Sequence, residues 1–172
     1  GGEDKFVKCG NDPENLPGMR DNYMYVGGGE NTFMPDGSDP QMPQKAGLDA
    51  IGGIVHHLRA LTAIGCSTVN SYRRLWDTGF WAPVFADWGF QNRTTGLRVS
   101  AQGRFEYRSV DSMVNPYIMG STILAAADDG IENQLDPGQP EERNIYEAIK
   151  EGKDVKKLPM SLGEALEALE AD

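Results

Sequence analysis

Residues 94–108 read TTGLRVSAQGRFEYR, two short runs rich in Val, Thr, Phe and Tyr that are separated by a turn containing Gly103. β-branched and aromatic residues favour strands, and glycine favours the tight turn between two of them. A third run of this kind precedes them at 82–88. We therefore predict three short antiparallel strands, 82–88, 94–99 and 104–108, in one sheet.

Helical patterns flank these strands on both sides. Over residues 44–64 the apolar side chains recur at spacings of three, four and seven, as on one face of an amphipathic helix. Asn115 suits the N-cap of a second helix and Pro116 its first position. We expect this helix, 116–134, to be largely buried.

The C-terminal part of the chain is acidic, since residues 127–172 carry 13 Asp or Glu against 5 Lys or Arg. Ser161 and Glu164 form a capping box ahead of leucines at helical spacing. This predicts a last helix from Ser161 to about Glu170. Its single apolar stripe needs a partner, inside the chain or outside it.

Charge and composition exclude several classes of protein. The chain has 172 residues, a formal net charge of −10 and a pI near 4.6, so a nucleic-acid partner is not expected. No apolar run approaches the roughly 20 residues of a membrane span. Cys9 and Cys66 have no metal-like spacing and make no disulfide framework. These features favour a soluble, cytoplasmic protein without membrane contact.

Positive charge is concentrated in one region, and only as arginine. Residues 73–108 hold six arginines and no lysine against three acidic residues. Alternation along the third strand places Arg104, Glu106 and Arg108 on one face. Arginine binds phosphate or carboxylate through two parallel hydrogen bonds, and a glutamate could hold a divalent cation. The spacing alone is equally compatible with an exposed ladder of salt bridges.

Seven short motifs follow one another along the chain. They are Asn70-Ser71-Tyr72-Arg73-Arg74-Leu75, Ala82-Pro83-Val84, Asn92-Arg93, Leu97-Arg98-Val99, Arg104-x-Glu106-x-Arg108, Asn115-Pro116-Tyr117 and Asp129-Gly130-Ile131. In this order they resemble the C-terminal catalytic region of the glutamine synthetase superfamily, over most of residues 45–150. A complete member is more than twice as long, so the resemblance implies an internal piece of the catalytic domain.

The resemblance implies an α+β fold, an antiparallel curved sheet flanked by helices, as part of the glutamine synthetase catalytic domain. Residues 1–150 would be a partial catalytic domain and residues 151–172 its acidic C-terminal helical segment. It further implies a ligase that uses ATP and Mg²⁺ or Mn²⁺ to make γ-glutamyl phosphate from glutamate, after which ammonia or a small amine displaces phosphate. The family forms ring-shaped homo-oligomers with the site between subunits, so the isolated chain is expected to be inactive.

Carried over position by position, the resemblance gives four arginines a role in ATP chemistry. Arg74 and Arg93 would contact the transferring phosphate. Arg98 and Arg104 would bind the nucleotide. Such positive groups offset the charge on a transferring phosphoryl group.

The remaining correspondences concern metal and substrates. Glu106 matches the metal-binding glutamate, Arg108 the arginine that grips the carboxylate of the substrate glutamate, and Asn15 a substrate-binding asparagine. Trp81 stands where ammonia-using members carry a glutamate. Tryptophan accepts no proton but offers an apolar wall and a cation–π face, which favours an alkylamine as in γ-glutamylmethylamide synthetases. The alternative is a tryptophan that fills space in the core.

The N-terminal part departs from the family pattern. Its alignment puts Arg20 and Asn22 where the family carries histidines for metal and phosphate. If this alignment holds, the metal site is damaged. The alternative function is then a non-catalytic homologue that binds nucleotide or glutamate, or acts only in assembly.

Overall fold

The computed structural model describes residues 31, 33–35, 37, 39–76, 82–152, 154 and 156–172. Within these residues the α+β class predicted from the sequence is confirmed, with a small open sheet flanked by helices. The elements in chain order are α1 (Lys45–His56), α2 (Leu58–Gly65), a 3₁₀ turn (Val69–Tyr72), α3 (Arg73–Trp76), β1 (Trp88–Phe90), β2 (Leu97–Ala101), β3 (Arg104–Tyr107), α4 (Pro116–Asn133), α5 (Ile145–Lys150) and α6 (Leu162–Glu170).

The sheet has the order β1-β2-β3. Strands β2 and β3 are antiparallel as predicted, with Arg98 opposite Glu106, and Gly103 adopts φ 77° in the turn between them. Strand β1 departs from the prediction, because it runs parallel to β2, with Trp88 opposite Leu97. Residues 91–96 carry the chain back to the start of the sheet, so β2 enters in the same direction as β1. The sheet is therefore mixed.

The predicted strand 82–88 is mostly outside this sheet. Its residues pair instead with a distant segment: the Ala86 N–H donates to the Lys156 carbonyl at 2.9 Å, and the Leu158 N–H donates to the Val84 carbonyl at 2.9 Å. Extended backbone and alternating burial do not specify the partner strand. The pairing places Val84 and Leu158, both fully buried, in the interior.

The predicted helix 44–64 is divided at His57, whose φ of −86° and ψ of 3° end α1. Helical hydrogen bonds nevertheless continue through this residue, from the His57 N–H to Gly53 and from the Leu61 N–H to His57. The imidazole contacts two carboxylates, Asp129 at 3.0 Å and Asp172 at 2.6 Å. These contacts link α1 and α2 to α4 and to the residues after α6.

Helix α4 begins as predicted, since the Asn115 Oδ1 accepts from the backbone N–H of Tyr117 and Ile118. It packs on α1 through glycine. A Cβ on Gly53 would overlap the Ala126 carbonyl oxygen and lie 2.6 Å from the Gly130 Cα. The two backbones thus meet directly.

The prediction that α4 is largely buried is wrong. Met119, Ala126 and Gly130 are buried against the rest of the fold, whereas Tyr117 is 85% and Leu124 71% exposed. The apolar pattern of a helix shows which residues prefer burial, but it does not show whether a covering element is present. Among the described residues no helix has the length and apolar character needed to cross a membrane.

Helix α6 begins as predicted, with the Ser161 Oγ accepting from the Glu164 N–H at 3.2 Å. The Glu164 carboxylate accepts from the Met160 N–H at 2.9 Å and so closes the cap from the other side. The partner of α6 lies within the chain, since Ala165 is fully buried in a cluster with Cys66. The predicted leucine stripe is buried only in part, because Leu166 stays 47% exposed.

Candidate functional site

The candidate site lies on the face of β2 and β3 that points away from the core. Phe105 and Tyr107 pack against the apolar core, so Glu106 between them faces the other way. The Arg98 Nη1 donates to the Glu106 Oε2 at 3.0 Å across the two strands. Arg98 is only 15% exposed and Glu106 38%. This ion pair is partly shielded from solvent.

Gln91 holds Arg98 from the other side. The Arg98 Nη2 donates to the Gln91 Oε1 at 2.5 Å, and the Gln91 Nε2 donates to the Ser100 carbonyl. Gln91 has φ 49°, which is uncommon for a residue with a side chain. Sequence reasoning missed Gln91, because a single glutamine beside an Asn-Arg motif carries no signal of its own. The Arg98 Nε is buried and has no hydrogen-bond partner among the described residues.

Arg108 lies one residue beyond β3 and is held by the loop that precedes β2. The Arg108 Nη1 donates to the Arg93 carbonyl and, at 3.4 Å, to the Thr95 carbonyl. The Arg108 N–H donates to the Gly96 carbonyl at 3.0 Å. The Arg74 Nη2 in turn donates to the Arg108 carbonyl at 3.4 Å. The structure thus brings residues 74, 93 and 108 together from three separate parts of the chain.

The electrostatics of Arg108 confirm this proximity. Burial lowers the pKa of its guanidinium, and the charges of Arg98, Arg74 and Arg93 lower it further, while the Glu106 carboxylate raises it. The charges of three other arginines and of one carboxylate therefore act on Arg108. A bound anion would relieve this repulsion, so the cluster suits a phosphate or a carboxylate.

Arg104 is the predicted site residue that lies apart from this cluster. It begins β3, about 13 Å along the strand from Arg108 at 3.3 Å per residue. Its Nε donates to the Ser100 Oγ at 3.0 Å, and its side chain is exposed. Arg104 could contact only a ligand that extends along the sheet.

Cys66 lies beneath the cluster, with its Sγ 3.7 Å from the Ser109 carbonyl oxygen. Burial raises the pKa of the thiol to about 11, although the neighbouring Arg74 opposes this change. The thiol is therefore protonated at neutral pH. Because thiolate is the reactive form, Cys66 is not a nucleophile for this site.

The described residues do not complete a metal site. Glu106 is the predicted ligand, but no group of three His, Cys, Asp or Glu side chains within the described ranges could hold a metal ion. Glu106 is also engaged by Arg98. Asn15 and Trp81, predicted to bind substrate, and the departures at Arg20 and Asn22 lie outside the described residues.

Comparison with known proteins agrees with the resemblance drawn from the motifs. The family described as glutamine synthetase, catalytic domain, matches residues 22–172. Glutamine synthetase from Pyrococcus woesei is 42% identical over 151 residues, 84% of this chain, and that from Aquifex aeolicus is 40% identical over 166 residues, 92% of this chain. The chain spans only 33% and 35% of these two relatives.

Solved structures show the same relation. A structure of GmaS with ADP has a TM-score of 0.77 at 38% identity and covers 87% of this chain and 35% of its own. A structure of GmaS without ligand has a TM-score of 0.75 at the same identity, covering 87% of this chain and 34% of its own. GmaS is a γ-glutamylmethylamide synthetase, the branch that the sequence resembles.

Proposed function

This chain belongs to the glutamine synthetase family, and from that premise we propose that it is part of an ATP-dependent ligase that joins ammonia or an alkylamine to the γ-carboxylate of glutamate. The observation that carries the proposal is the convergence of four arginines: Arg98 bonds to Glu106, while Arg108 bonds to the backbone of Arg93 and accepts from Arg74. The chain spans about a third of its relatives. The complete protein therefore supplies the remainder of the site.

The roles proposed for the arginines are those that the family resemblance implies, and the position of each residue supports its role. Arg108, whose guanidinium is half-buried and fixed by loop carbonyls, would bind the carboxylate of glutamate. Arg74 and Arg93 are exposed beside it, so they would contact the phosphate that is transferred to that substrate. Arg98 and the more distant Arg104 would bind the nucleotide. An extended ligand such as ATP fits the spacing between Arg104 and the cluster.

A transferring phosphoryl group develops charge on its outer oxygens, and preorganised positive groups stabilise that charge. The Arg74 guanidinium already donates to the backbone carbonyl of Arg108, so the two residues are held together before substrate binds. Preorganisation of this kind avoids the cost of gathering like charges during the reaction. The pKa of Arg108 is lowered first by burial and then by the neighbouring arginines, so part of this cost is met on folding.

We propose Mg²⁺ or Mn²⁺ as a cofactor because the family resemblance implies such a cation and because Glu106 offers a carboxylate to bind it. The Glu106 carboxylate would be one ligand of the cation, and one of its two oxygens, Oε2, already accepts from Arg98. The other ligands would come from residues outside the described ranges. We derive no catalytic step through the metal.

The acceptor and the assembly are also part of the proposal. Trp81 in place of the glutamate of ammonia-using members favours an alkylamine over ammonia, and the GmaS likeness supports the same choice. The complete protein would act in the cytoplasm as a ring-shaped homo-oligomer. The exposed apolar side chains of α4, such as Tyr117 and Leu124, support burial of that helix in the complete protein.

A non-catalytic homologue is the second candidate. It is favoured by Arg20 and Asn22 at the positions of two family histidines and by the engagement of Glu106 with Arg98. Such a protein would bind nucleotide or glutamate through the same arginines. It would form no γ-glutamyl amide.

Calorimetry on this chain tests the site. We expect a non-hydrolysable ATP analogue to bind in the presence of Mg²⁺, with binding lost in Glu106→Ala and retained in Glu132→Ala, which removes an exposed glutamate from α4. Binding that is equal in the two variants would overturn the proposed site.

Activity of the complete protein separates the two candidate functions. We expect ATP-dependent amide formation from glutamate, faster with methylamine than with ammonia. Nucleotide binding without amide formation from either acceptor would favour the non-catalytic homologue. The 172-residue chain alone is expected to form no product, and turnover by it would contradict the proposal that it is a part of the site.

A further inference from the structure

We infer that Asn92 is a positioning residue for the arginine cluster: its side-chain amide ties the loop that carries Arg93 and supports Arg108 to the segment 137–145. The functional meaning of this tie rests on the proposed function. The tie itself consists of hydrogen bonds among described residues.

The loop 91–96 needs support because of its topology. Parallel strands are usually joined by a dozen or more residues, whereas β1 and β2 are joined by residues 91–96 alone. The loop is braced internally. The Asn92 Oδ1 accepts from the Thr94 N–H at 2.9 Å and from the Thr94 Oγ1 at 2.7 Å, and the Thr95 Oγ1 donates to the Asn92 carbonyl at 3.1 Å.

The same amide also reaches outside the loop. The Asn92 Nδ2 donates to the Glu141 carbonyl and to the Arg143 carbonyl, both at 2.8 Å. Next to it, the Ile145 N–H donates to the Thr94 Oγ1 at 3.0 Å. The Asn92 side chain thus uses both of its donors and both acceptor sites, which is its full capacity.

The segment 137–145 is itself fixed to the sheet, so it is a rigid point of attachment. The Trp88 Nε1 donates to the carbonyls of Pro137 and Gly138 at 3.1 Å, and the Glu141 N–H donates to the Trp88 carbonyl at 2.9 Å. A Cβ on Gly89 would overlap the Glu141 carbonyl oxygen. Glycine at this position allows the segment to lie directly on β1.

The bonds of Asn92 hold in place the loop carbonyls that bind Arg108. Three carbonyls of the loop, those of Arg93, Thr95 and Gly96, accept hydrogen bonds from Arg108. A movement of the loop would therefore displace the Arg93 side chain and the Arg108 guanidinium together. Displacements of about 1 Å are enough to slow a positioned reaction by about a hundredfold.

Nuclear magnetic resonance of this chain tests the tie directly through the arginine side-chain signals. In the unsubstituted chain we expect hindered rotation of the Arg108 guanidinium, seen as separate Nη signals. Asn92→Ala should merge these signals, whereas Asn133→Ala should leave them separate, since Asn133 is exposed on α4 and its side chain donates to Asp129 of the same helix. Separate Arg108 signals in both variants would overturn the inference.

A second pair of variants tests the tie without replacing Asn92. Thr94→Val keeps the shape of the side chain but loses the hydroxyl that joins Asn92 to Ile145, and Thr94→Ser keeps that hydroxyl. We expect Thr94→Val to merge the Nη signals of Arg108 and Thr94→Ser to keep them separate. If Asn92→Ala does not fold, the two Thr94 variants decide whether the tie restrains Arg108.

Kinetics of the complete protein address the functional consequence. We expect Asn92→Ala to lower kcat/KM for glutamate by about tenfold or more, since Arg108 and Arg93 would no longer be placed together. If the complete protein forms no amide, the proposed function fails while the resonance measurement still decides whether Asn92 holds Arg108. An active Asn92→Ala with unchanged kcat/KM would overturn the positioning role.

Discussion

The α1–α4 helix pair and the arginine cluster are held together in opposite ways. The helices meet backbone to backbone at Gly53 and Gly130, and the nearby Ile51 and Ile54 are fully buried. The cluster is held by side-chain hydrogen bonds to loop carbonyls, and Arg98 and Arg108 remain half-buried. Close packing of backbone and apolar side chains stabilises the helix pair, whereas the arginine cluster keeps like charges near each other.

The difference suggests a division of tasks. Burial of Arg108 and the like charges around it both cost free energy on folding, as the lowered pKa of this group indicates. Buried apolar surface such as that of the helix pair contributes far more than exposed ion pairs do. Substitutions in the helix pair should therefore change stability, and substitutions in the cluster should change ligand binding.

Gly53→Ala should have the largest effect on stability. The new methyl group would overlap the Ala126 carbonyl and lie 2.7 Å from the Gly130 N, so the helices must separate. We expect a loss of about 3 kcal/mol, measured by urea unfolding. Gly120→Ala is the matched control, because nothing lies within 4 Å of a Cβ there. It should stabilise α4 by about 0.5 kcal/mol, and losses of equal size in both variants would contradict glycine-mediated packing.

Asn115→Ala should have the next largest effect, because it removes the N-cap of α4. The Asn115 Oδ1 accepts from the Tyr117 N–H at 3.0 Å and from the Ile118 N–H at 3.3 Å. We expect a loss of about 1 kcal/mol in urea unfolding. Asn115→Asp keeps an acceptor at the cap and should lose much less. Equal losses would show that the cap does not stabilise the helix.

His57 should make the free energy of unfolding depend on pH. We expect this effect to be smaller than those of Gly53→Ala and Asn115→Ala. Burial lowers its pKa, but the hydrogen bonds to Asp129 and Asp172 outweigh burial, so the pKa is raised from 6.5. Its contribution is therefore complete below pH 6.5 and is lost as pH rises through the folded pKa. We expect the urea midpoint to decrease as the pH rises above about 6.5, through the folded pKa of His57.

The His57→Gln variant should remove this fall in the urea midpoint. His56→Gln is the control, since His56 is exposed on the adjacent position. A midpoint that falls equally in both variants would assign the pH dependence to another group.

Glu106→Gln should have the smallest effect on stability. Glu106 is 38% exposed, and partly exposed ion pairs contribute little, so we expect a change within about 0.5 kcal/mol. The same variant should lose Mg²⁺-dependent nucleotide binding in calorimetry. A large loss of stability would show that the cluster supports the fold and would remove the contrast with the helix pair.

Local signals in the sequence predicted local structure well. The caps at Asn115 and Ser161 lie at the predicted positions, because a capping side chain bonds within its own first turn. The antiparallel pairing of β2 with β3 followed from the short turn at Gly103.

Features that depend on distant contacts could not be predicted in this way. Strand β1 bonds to the distant segment 137–145 as well as to β2, and the break at His57 coincides with contacts to Asp129 and Asp172. The candidate site was predicted from arginine type, strand alternation and the family resemblance, and it stays a prediction. The bracing by Gln91 and Asn92 was not predicted, because amides in loops are common and only their partners distinguish them.

The indole of Trp88 offers an optical view of this arrangement. It is only 1% exposed, and its N–H is bonded to the Pro137 and Gly138 carbonyls, whereas Trp76 is 59% exposed. Emission from a shielded indole lies at shorter wavelength than emission from one in water. In a background with both Trp76→Phe and Trp81→Phe, which leaves Trp88 as the remaining tryptophan of the sequence, the emission wavelength would report whether the segment 137–145 is seated on the sheet.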